Sequence, residues 1–178
     1  MKKYIFLSIT TISLLLFSNI SFSQTPNGTL NLGILTTFEA FTGSGAVANT
    51  GGTITGDAGT HFGAISGGIV GDMYTQSTET NAGQEDLLRL YIHLNAKPVD
   101  NSGHAAAFAN ETLSPGVYSV GSAGSIGGTL TLDGGNDANA VFIIKFYGAL
   151  TVGANAMVTL TKGTQSCNVF YIAEGAIT

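Results

Sequence analysis

The sequence predicts a mostly β fold, a β-solenoid with one long α-helix packed along one face, and three observations predict it. Residues 129–144 match residues 157–172 without a gap at an offset of 28, with identical pairs such as Thr131/Thr159 and Leu132/Leu160. In both copies, short β-like runs are separated by turns of Gly, Asn, Asp and polar residues, which is typical of stacked coils. A single segment, residues 81–96, has the apolar spacing of an amphipathic helix.

The repeat also predicts which side of each strand faces water. In residues 130–132 and 158–161, apolar residues alternate with Thr, so the apolar side chains should point inward and the Thr side chains outward. Residues 141–144 and 169–172 are apolar on both sides and therefore need a cover. We expect the helix to lie on these two strands.

We expect Asn81 to cap the helix at its N-terminus and the Lys97-Pro98 pair to end it. On the opposite side from the apolar arc, Glu85 and Arg89 are spaced for an i,i+4 ion pair, and Asp86 is predicted to be solvated surface. The apolar arc itself consists of Leu87, Leu88, Leu90, Tyr91 and Leu94.

The first residues are typical of a secretory signal peptide. Residues 1–23 carry two Lys residues, then an apolar run too short for a membrane anchor, then small residues at a cleavage site. The mature chain, residues 24–178, is expected to be one exported domain with no membrane insertion. Without the peptide it has 4 basic and 11 acidic residues, and this acidic balance argues against nucleic-acid partners.

The rest of the chain gives weaker signals. Residues 30–71 contain short, irregularly spaced strands punctuated by Gly, as expected for the terminal coils of a solenoid. Residues 104–110 fit either a helical turn or a loop, and residues 113–118 should pass through a Pro-Gly turn into a strand. Cys167 has no partner for an internal disulfide, and a position in a turn is favoured over intermolecular pairing.

No residues are arranged for catalysis, so the chain is predicted not to be an enzyme and to need no cofactor. The His residues are far apart in sequence, and a metal site is not expected. Asp133 to Asp137 form a turn with oxygen ligands, but the repeated turn has no carboxylate, so a tandem calcium array is excluded.

Several motifs together resemble the ice-binding (antifreeze) family of microbial β-solenoids. They are the signal peptide, the Gly-rich opening with Gly56-Asp57, the single helix, residues 113–118, and the two strand starts at residues 140–143 and 167–170. The resemblance runs from about Leu30 to the end. It implies a secreted, right-handed β-solenoid with three-faced coils that adsorbs to ice through a flat face, inhibits ice recrystallisation and is a monomer when full length.

This resemblance gives the Thr residues a role as candidate ice contacts. Thr129, Thr131, Thr159 and Thr161 are predicted to share one exposed face. Thr151 and Thr178 should stack on a neighbouring face, while Thr50 and Thr53 form the only match in the opening coils to the T-[A/G]-x-[T/N] pattern of strong ice binders.

The extent of the solenoid and its function are both left open by the sequence. By its own repeat register the chain stops halfway through a coil, so further C-terminal coils are expected to be missing. The alternative function is a cell-surface adhesion or matrix module that uses the same scaffold without ice activity.

Overall fold

The computed structural model describes residues 32–177, apart from the side chains of residues 50 and 51, and it is mostly β with one α-helix. The predicted signal peptide and Thr178 lie outside the described residues, as does the side chain of Thr50. Every strand pairing in the described part is parallel. The chain divides into two compact units, Leu30–Ala96 and residues 97–178 with the undescribed start of the chain.

In its described part, residues 32–96, the first unit contains five strands and the helix. A 3-10 helix at Gly33–Thr37 precedes the strands. Parallel pairing joins β1 to β3 to β5 in one sheet and β2 to β4 in another. The elements are β1 Phe38–Thr42, β2 Val47–Thr55, β3 Asp57–Thr60, β4 Ile65–Val70, β5 Met73–Thr75 and α1 Thr78–Asn95.

The helix begins three residues before its predicted start. Ser77 is its N-cap: the Ser77 hydroxyl accepts the Thr80 backbone N–H at 3.2 Å, and the Thr80 hydroxyl accepts the Ser77 N–H at 2.8 Å. This reciprocal capping box satisfies two N–H groups that the helix cannot bond. The prediction that Asn81 caps the helix is wrong because a Ser with a hydroxyl three residues later offers the same geometry one turn earlier. The end is as predicted, with Ala96 as C-cap.

Asp86 is a structural residue, which corrects its prediction as solvated surface. Its carboxylate accepts the Ile34 backbone N–H at 2.9 Å and the Arg89 guanidinium at 2.8 Å. Gly33, at φ +55°, lies so close that a Cβ there would overlap the Asp86 carboxylate. The predicted ion pair of Glu85 and Arg89 is confirmed at 3.1 Å.

Within residues 97–177, the second unit contains eight strands in two sheets. One sheet has the order β13-β10-β8-β6, and the other joins β7, β9, β11 and β12, with β9 pairing all three others. Residues 104–110, which the sequence left open, contain the start of β7, and the predicted strand after the Pro-Gly turn is β8. The strands are β6 Asn101–Ser102, β7 Ala107–Leu113, β8 Gly116–Val120, β9 Gly124–Asp133, β10 Phe142–Phe146, β11 Leu150–Val152, β12 Met157–Thr161 and β13 Val169–Ala173.

The core of this unit lies between its two sheets. Inward side chains alternate along the strands as predicted: Leu130 and Leu132 of β9 and Phe142 and Ile144 of β10 are completely buried. Twelve buried apolar residues form one cluster, which also includes Phe108, Leu113, Tyr118, Val120, Ile126, Ala140, Phe146 and Leu150.

The repeat aligns in space with one change of register. Thr131 pairs with Thr159, which keeps the offset of 28, but Phe142 pairs with Val169 at an offset of 27. The gapless alignment is therefore wrong after β9. A one-residue slip reverses which side chains face inward, and the shorter register puts Val169, Tyr171 and Ala173 against the core. The second copy of the repeat is one residue shorter in the turn between β12 and β13. This turn ends in a 3-10 helix, Ser166–Asn168, in which Cys167 is exposed.

Two outward side chains of β10 and β13 are buried. Ile143 is only 2% exposed and Ile172 only 8%, although both alternate with core residues. Lys145 is also buried here and its ammonium donates to the Lys97 carbonyl at 2.9 Å, and burial lowers the pKa of Lys145. The predicted docking of α1 onto these strands would join the two units and stays a prediction, as does the single domain over residues 24–178.

Candidate functional site

The candidate surface is the outer side of the sheet in which β9 pairs with β7, β11 and β12. β9 is ten residues long and bends at its middle, where Gly128 has a φ of +62°. Asn110 occupies the corresponding bend of β7, with a φ of +53°, and its side-chain oxygen accepts the Thr129 N–H at 3.2 Å. A Cβ at Gly128 would overlap this Asn side chain. The bend therefore divides the sheet into two halves.

The half after the bend carries a row of three Thr residues, Thr112, Thr131 and Thr159, which we call the Thr ladder. Thr131 is the register partner of both others. Because adjacent strands lie about 4.8 Å apart, the three outward side chains repeat at that spacing. Thr131 and Thr159 were predicted from the sequence, whereas Thr112 was missed. Thr112 lies 19 residues before Thr131, whereas the repeat has an offset of 28.

The other predicted Thr residues of this half have mixed neighbours. Thr129 is the register partner of Met157, which is 57% exposed, and Thr161 is the partner of Asp133. The Thr161 hydroxyl donates to the Leu132 carbonyl at 3.3 Å. The Thr grid on this half is therefore one complete row with interrupted rows on either side.

An ion pair lies at the edge of the half of the sheet that carries the Thr ladder. The Lys162 ammonium is 2.7 Å from Asp133 Oδ2, and Asp133 Oδ1 accepts the Gly135 N–H at 2.9 Å. The hydrogen bond from Lys162, followed by that from the Gly135 backbone, lowers the pKa of Asp133. This carboxylate, considered above as a calcium ligand, thus has a basic partner from the repeated turn.

The half before the bend carries only small outward residues, which we call the small-residue surface. Ser125 is the register partner of Ala107 on one side and Thr151 on the other, and Ala109 is the partner of Gly127. Between them, Phe108 and Ile126 point into the core and are at most 3% exposed. The surface consists of Ala107, Ala109, Ser125, Gly127, Thr151 and Gly153.

The remaining predicted candidates lie elsewhere. Thr53 is exposed on β2 in the first unit, Thr178 lies outside the described residues, and nothing is described of the Thr50 side chain. No group of three or more His, Cys, Asp or Glu side chains within residues 32–177 is placed to hold a metal ion. No helix in that range is long and apolar enough to cross a membrane.

His104 has a local structural role. Its ring stacks on Phe108 with centroids 4.1 Å apart, and its Nε2 atom lies 3.3 Å from the Glu111 carboxylate. Phe108 points into the core, so the stacking contact with His104 lies on the inner side of β7, opposite the small-residue surface.

The comparison that decides the family is a match between residues 23–178 and the model of the ice-binding-like family. The chain belongs to the ice-binding-like family. It is similar to an ice-binding protein of Nostoc sp. (strain HG1), at 32% identity over 146 residues, covering 79% of this chain and 54% of the relative.

Solved structures of the ice-binding-like family have the same fold. A crystal structure of an ice-binding protein from an Antarctic Flavobacteriaceae bacterium is 40% identical, with a TM-score of 0.76, over 83% of this chain and 36% of that one. A crystal structure from the Antarctic ascomycete Antarctomyces psychrotrophicus is 26% identical, with a TM-score of 0.71, over 84% of this chain and 78% of that one.

These relatives bear on the predictions about enzyme activity and about the adhesion alternative. Ice-binding proteins are not enzymes, which confirms that part of the sequence interpretation. The chain spans about half the length of the Nostoc relative it matches. The relatives are named for ice binding, so they give no support to the adhesion alternative.

Proposed function

We propose that this chain adsorbs to ice through the small-residue surface. The observation that carries the proposal is that three strands in register present outward side chains no larger than Thr, with no charge among them. Membership of the ice-binding-like family and the ice-binding relatives support the same activity.

The physical basis is a match between two regular surfaces. Outward positions repeat at about 4.8 Å across strands and about 6.6–6.8 Å along them, which gives a two-dimensional grid. Ser125 and Thr151 offer hydroxyl groups that can hydrogen-bond ordered water, while Ala107 and Ala109 offer methyl groups. A crystal face can approach such a surface closely because no long side chain stands between them.

The Thr ladder is the second candidate for the contact surface. Its three hydroxyl-bearing residues stand in one register row, and this is the Thr-bearing face expected from the sequence. Met157 and the Asp133–Lys162 pair flank it, and these longer side chains would hold a flat ice face away. We therefore rank the Thr ladder below the small-residue surface.

A pair of bulky substitutions distinguishes the two surfaces. Ser125→Tyr places a ring in the centre of the small-residue surface, and Thr131→Tyr places one in the centre of the Thr ladder. We expect Ser125→Tyr to reduce thermal hysteresis and recrystallisation inhibition severalfold and Thr131→Tyr to have a smaller effect. Substitutions at outward surface positions usually change stability by about 0.5 kcal/mol or less, so melting temperatures should stay close to wild type.

Asn139→Tyr, at an exposed turn position between β9 and β10, is the matched control and should leave ice activity unchanged. A larger loss with Thr131→Tyr would transfer the contact to the Thr ladder. If the unsubstituted chain shapes a growing ice crystal no differently from buffer, ice binding is the wrong function, and the adhesion interpretation takes its place.

The finer fold and the location belong to the same proposal. We propose that the parallel strands of each unit are coils of a right-handed β-solenoid, since crossover connections between parallel strands are right-handed in almost all proteins. We also propose that the chain is secreted after removal of residues 1–23. N-terminal sequencing of protein from the culture medium would test the second point, and a first residue other than Gln24 would move the cleavage site.

A further inference from the structure

The bend between the two halves of the β9 sheet is held by a side chain. The pairing of β7 with β9 shifts in register between Ala109 and Glu111, so that Asn110 faces two residues of β9, Gly128 and Thr129. At a bulge of this kind, the extra residue has no partner in the ladder of backbone hydrogen bonds. The Asn110 side-chain oxygen accepts the Thr129 N–H at 3.2 Å and so supplies the bond that the ladder lacks.

The backbone at this bend suits an Asn. The φ of Asn110 is +53°, which lies in the left-handed region where Asn, Asp and Gly are tolerated. On the β9 side, a Cβ at Gly128 would lie 2.6 Å from Asn110 Oδ1, so the absence of a side chain there leaves room for the amide. A Gly at position 110 would keep the backbone conformation and remove only the acceptor oxygen.

A bend of the same kind occurs in the first unit. The pairing of β2 with β4 shifts in register after Asn49, whose side-chain amide donates to the Gly52 carbonyl at 3.2 Å and the Gly68 carbonyl at 3.0 Å. Its register partner, Gly67, has a φ of +97°. Asn49 donates where Asn110 accepts, but in both sheets an Asn side chain bonds backbone groups at a bend opposite two successive Gly residues. The recurrence in two units indicates that the bend depends on this side chain.

The bond lies directly beside the small-residue surface. Ala109 and Gly127 are the last register pair of that surface before the bend, and Ala107 and Ala109 form its β7 column. An ice face is flat and rigid, so close contact requires this column to lie at the same height as the outward residues of β9. We propose that Asn110 is a positioning residue for ice adsorption, whose oxygen clamps the bulge and holds the β7 column level with β9. This role rests on the proposed function of the small-residue surface.

The substitution Asn110→Gly tests the role. We expect thermal hysteresis severalfold below that of the unsubstituted chain, with circular dichroism at the assay temperature showing that the variant is folded. A residue that contributes only stability would leave the hysteresis of a folded chain unchanged. Asn110→Asp keeps an acceptor oxygen and tolerates a positive φ, so it should retain more activity than Asn110→Gly. The matched control is Asn136→Gly, at a φ of +68° in an exposed turn between β9 and β10, which should keep full activity.

Amide hydrogen exchange at Thr129 reports on the clamp without ice. Asn110→Gly should make this exchange about tenfold faster, as expected for the loss of one hydrogen bond, and Asn110→Asp should leave it slow. Full ice activity in Asn110→Gly, or equal losses in the Gly and Asp variants, overturns the positioning role alone. An unsubstituted chain without any effect on ice growth refutes the proposed function, and the positioning role falls with it.

Discussion

At the scale of single residues, Asp86 shows how one carboxylate fixes a segment remote in sequence. It holds the Ile34 N–H across 52 positions and also pairs with Arg89. Asp86→Ala leaves that N–H without its partner, and we expect a loss of about 1–3 kcal/mol in the free energy of unfolding. Chemical denaturation of the variant and the unsubstituted chain measures it.

Glu85 provides the control, since it pairs with the same Arg89 but its side chain is 71% exposed. Exposed ion pairs contribute about 0–1 kcal/mol, so Glu85→Ala should change stability much less. Equal losses in the two variants would show that the ion pair, rather than the bond to Ile34, is what matters at Asp86.

Residue-level roles were predictable where periodicity carried them. Alternation in β9 and β12 gave the inward Leu residues and the outward Thr131 and Thr159 because strand geometry has a strict period of two. Thr112 was missed since it lies 19 residues from its register partner Thr131 rather than 28, and the role of Asp86 depends on a segment that is distant in sequence. The small-residue surface was largely missed because Ala and Gly give no chemical signal by themselves.

At the scale of elements, the start of α1 rests on two hydroxyl groups. Ser77→Ala removes the acceptor for the Thr80 N–H, and loss of an N-cap side chain typically costs about 1 kcal/mol. The loss should appear in the unfolding free energy, with fraying of residues 78–81 in amide hydrogen exchange. Asn81→Ala, at the cap position that the sequence suggested, should have little effect. The reverse order would return the N-cap to Asn81.

The elements themselves were more predictable than their boundaries and register. The helix, its ion pair and the β9–β12 pairing followed from spacing alone. The change of offset from 28 to 27 could not be predicted from spacing. The one-residue gap fits the sequence equally well in the turn after β12 and at a later position. Burial decides between them, because only the observed register keeps Tyr171 and Val169 against the core.

At the scale of the whole molecule, the two units differ greatly in apolar burial. Among the described residues, the buried apolar side chains of the unit Leu30–Ala96 are Ala58 and Leu94. The other unit has its cluster of twelve. Burial of apolar surface is the main term that offsets conformational entropy, so we expect that the first unit does not fold as an independent body.

We therefore expect the full chain to unfold in one calorimetric transition, with the calorimetric enthalpy equal to the van't Hoff enthalpy. Leu94 is 3% exposed, and Leu94→Ala should lower the stability of that single transition by about 2–5 kcal/mol. Since the substitution lies in the weak unit, a shift of the entire heat-absorption peak means that both units unfold together. Two peaks, of which Leu94→Ala moves only one, would show instead that Leu30–Ala96 is stable alone and that residues 24–178 are not one domain.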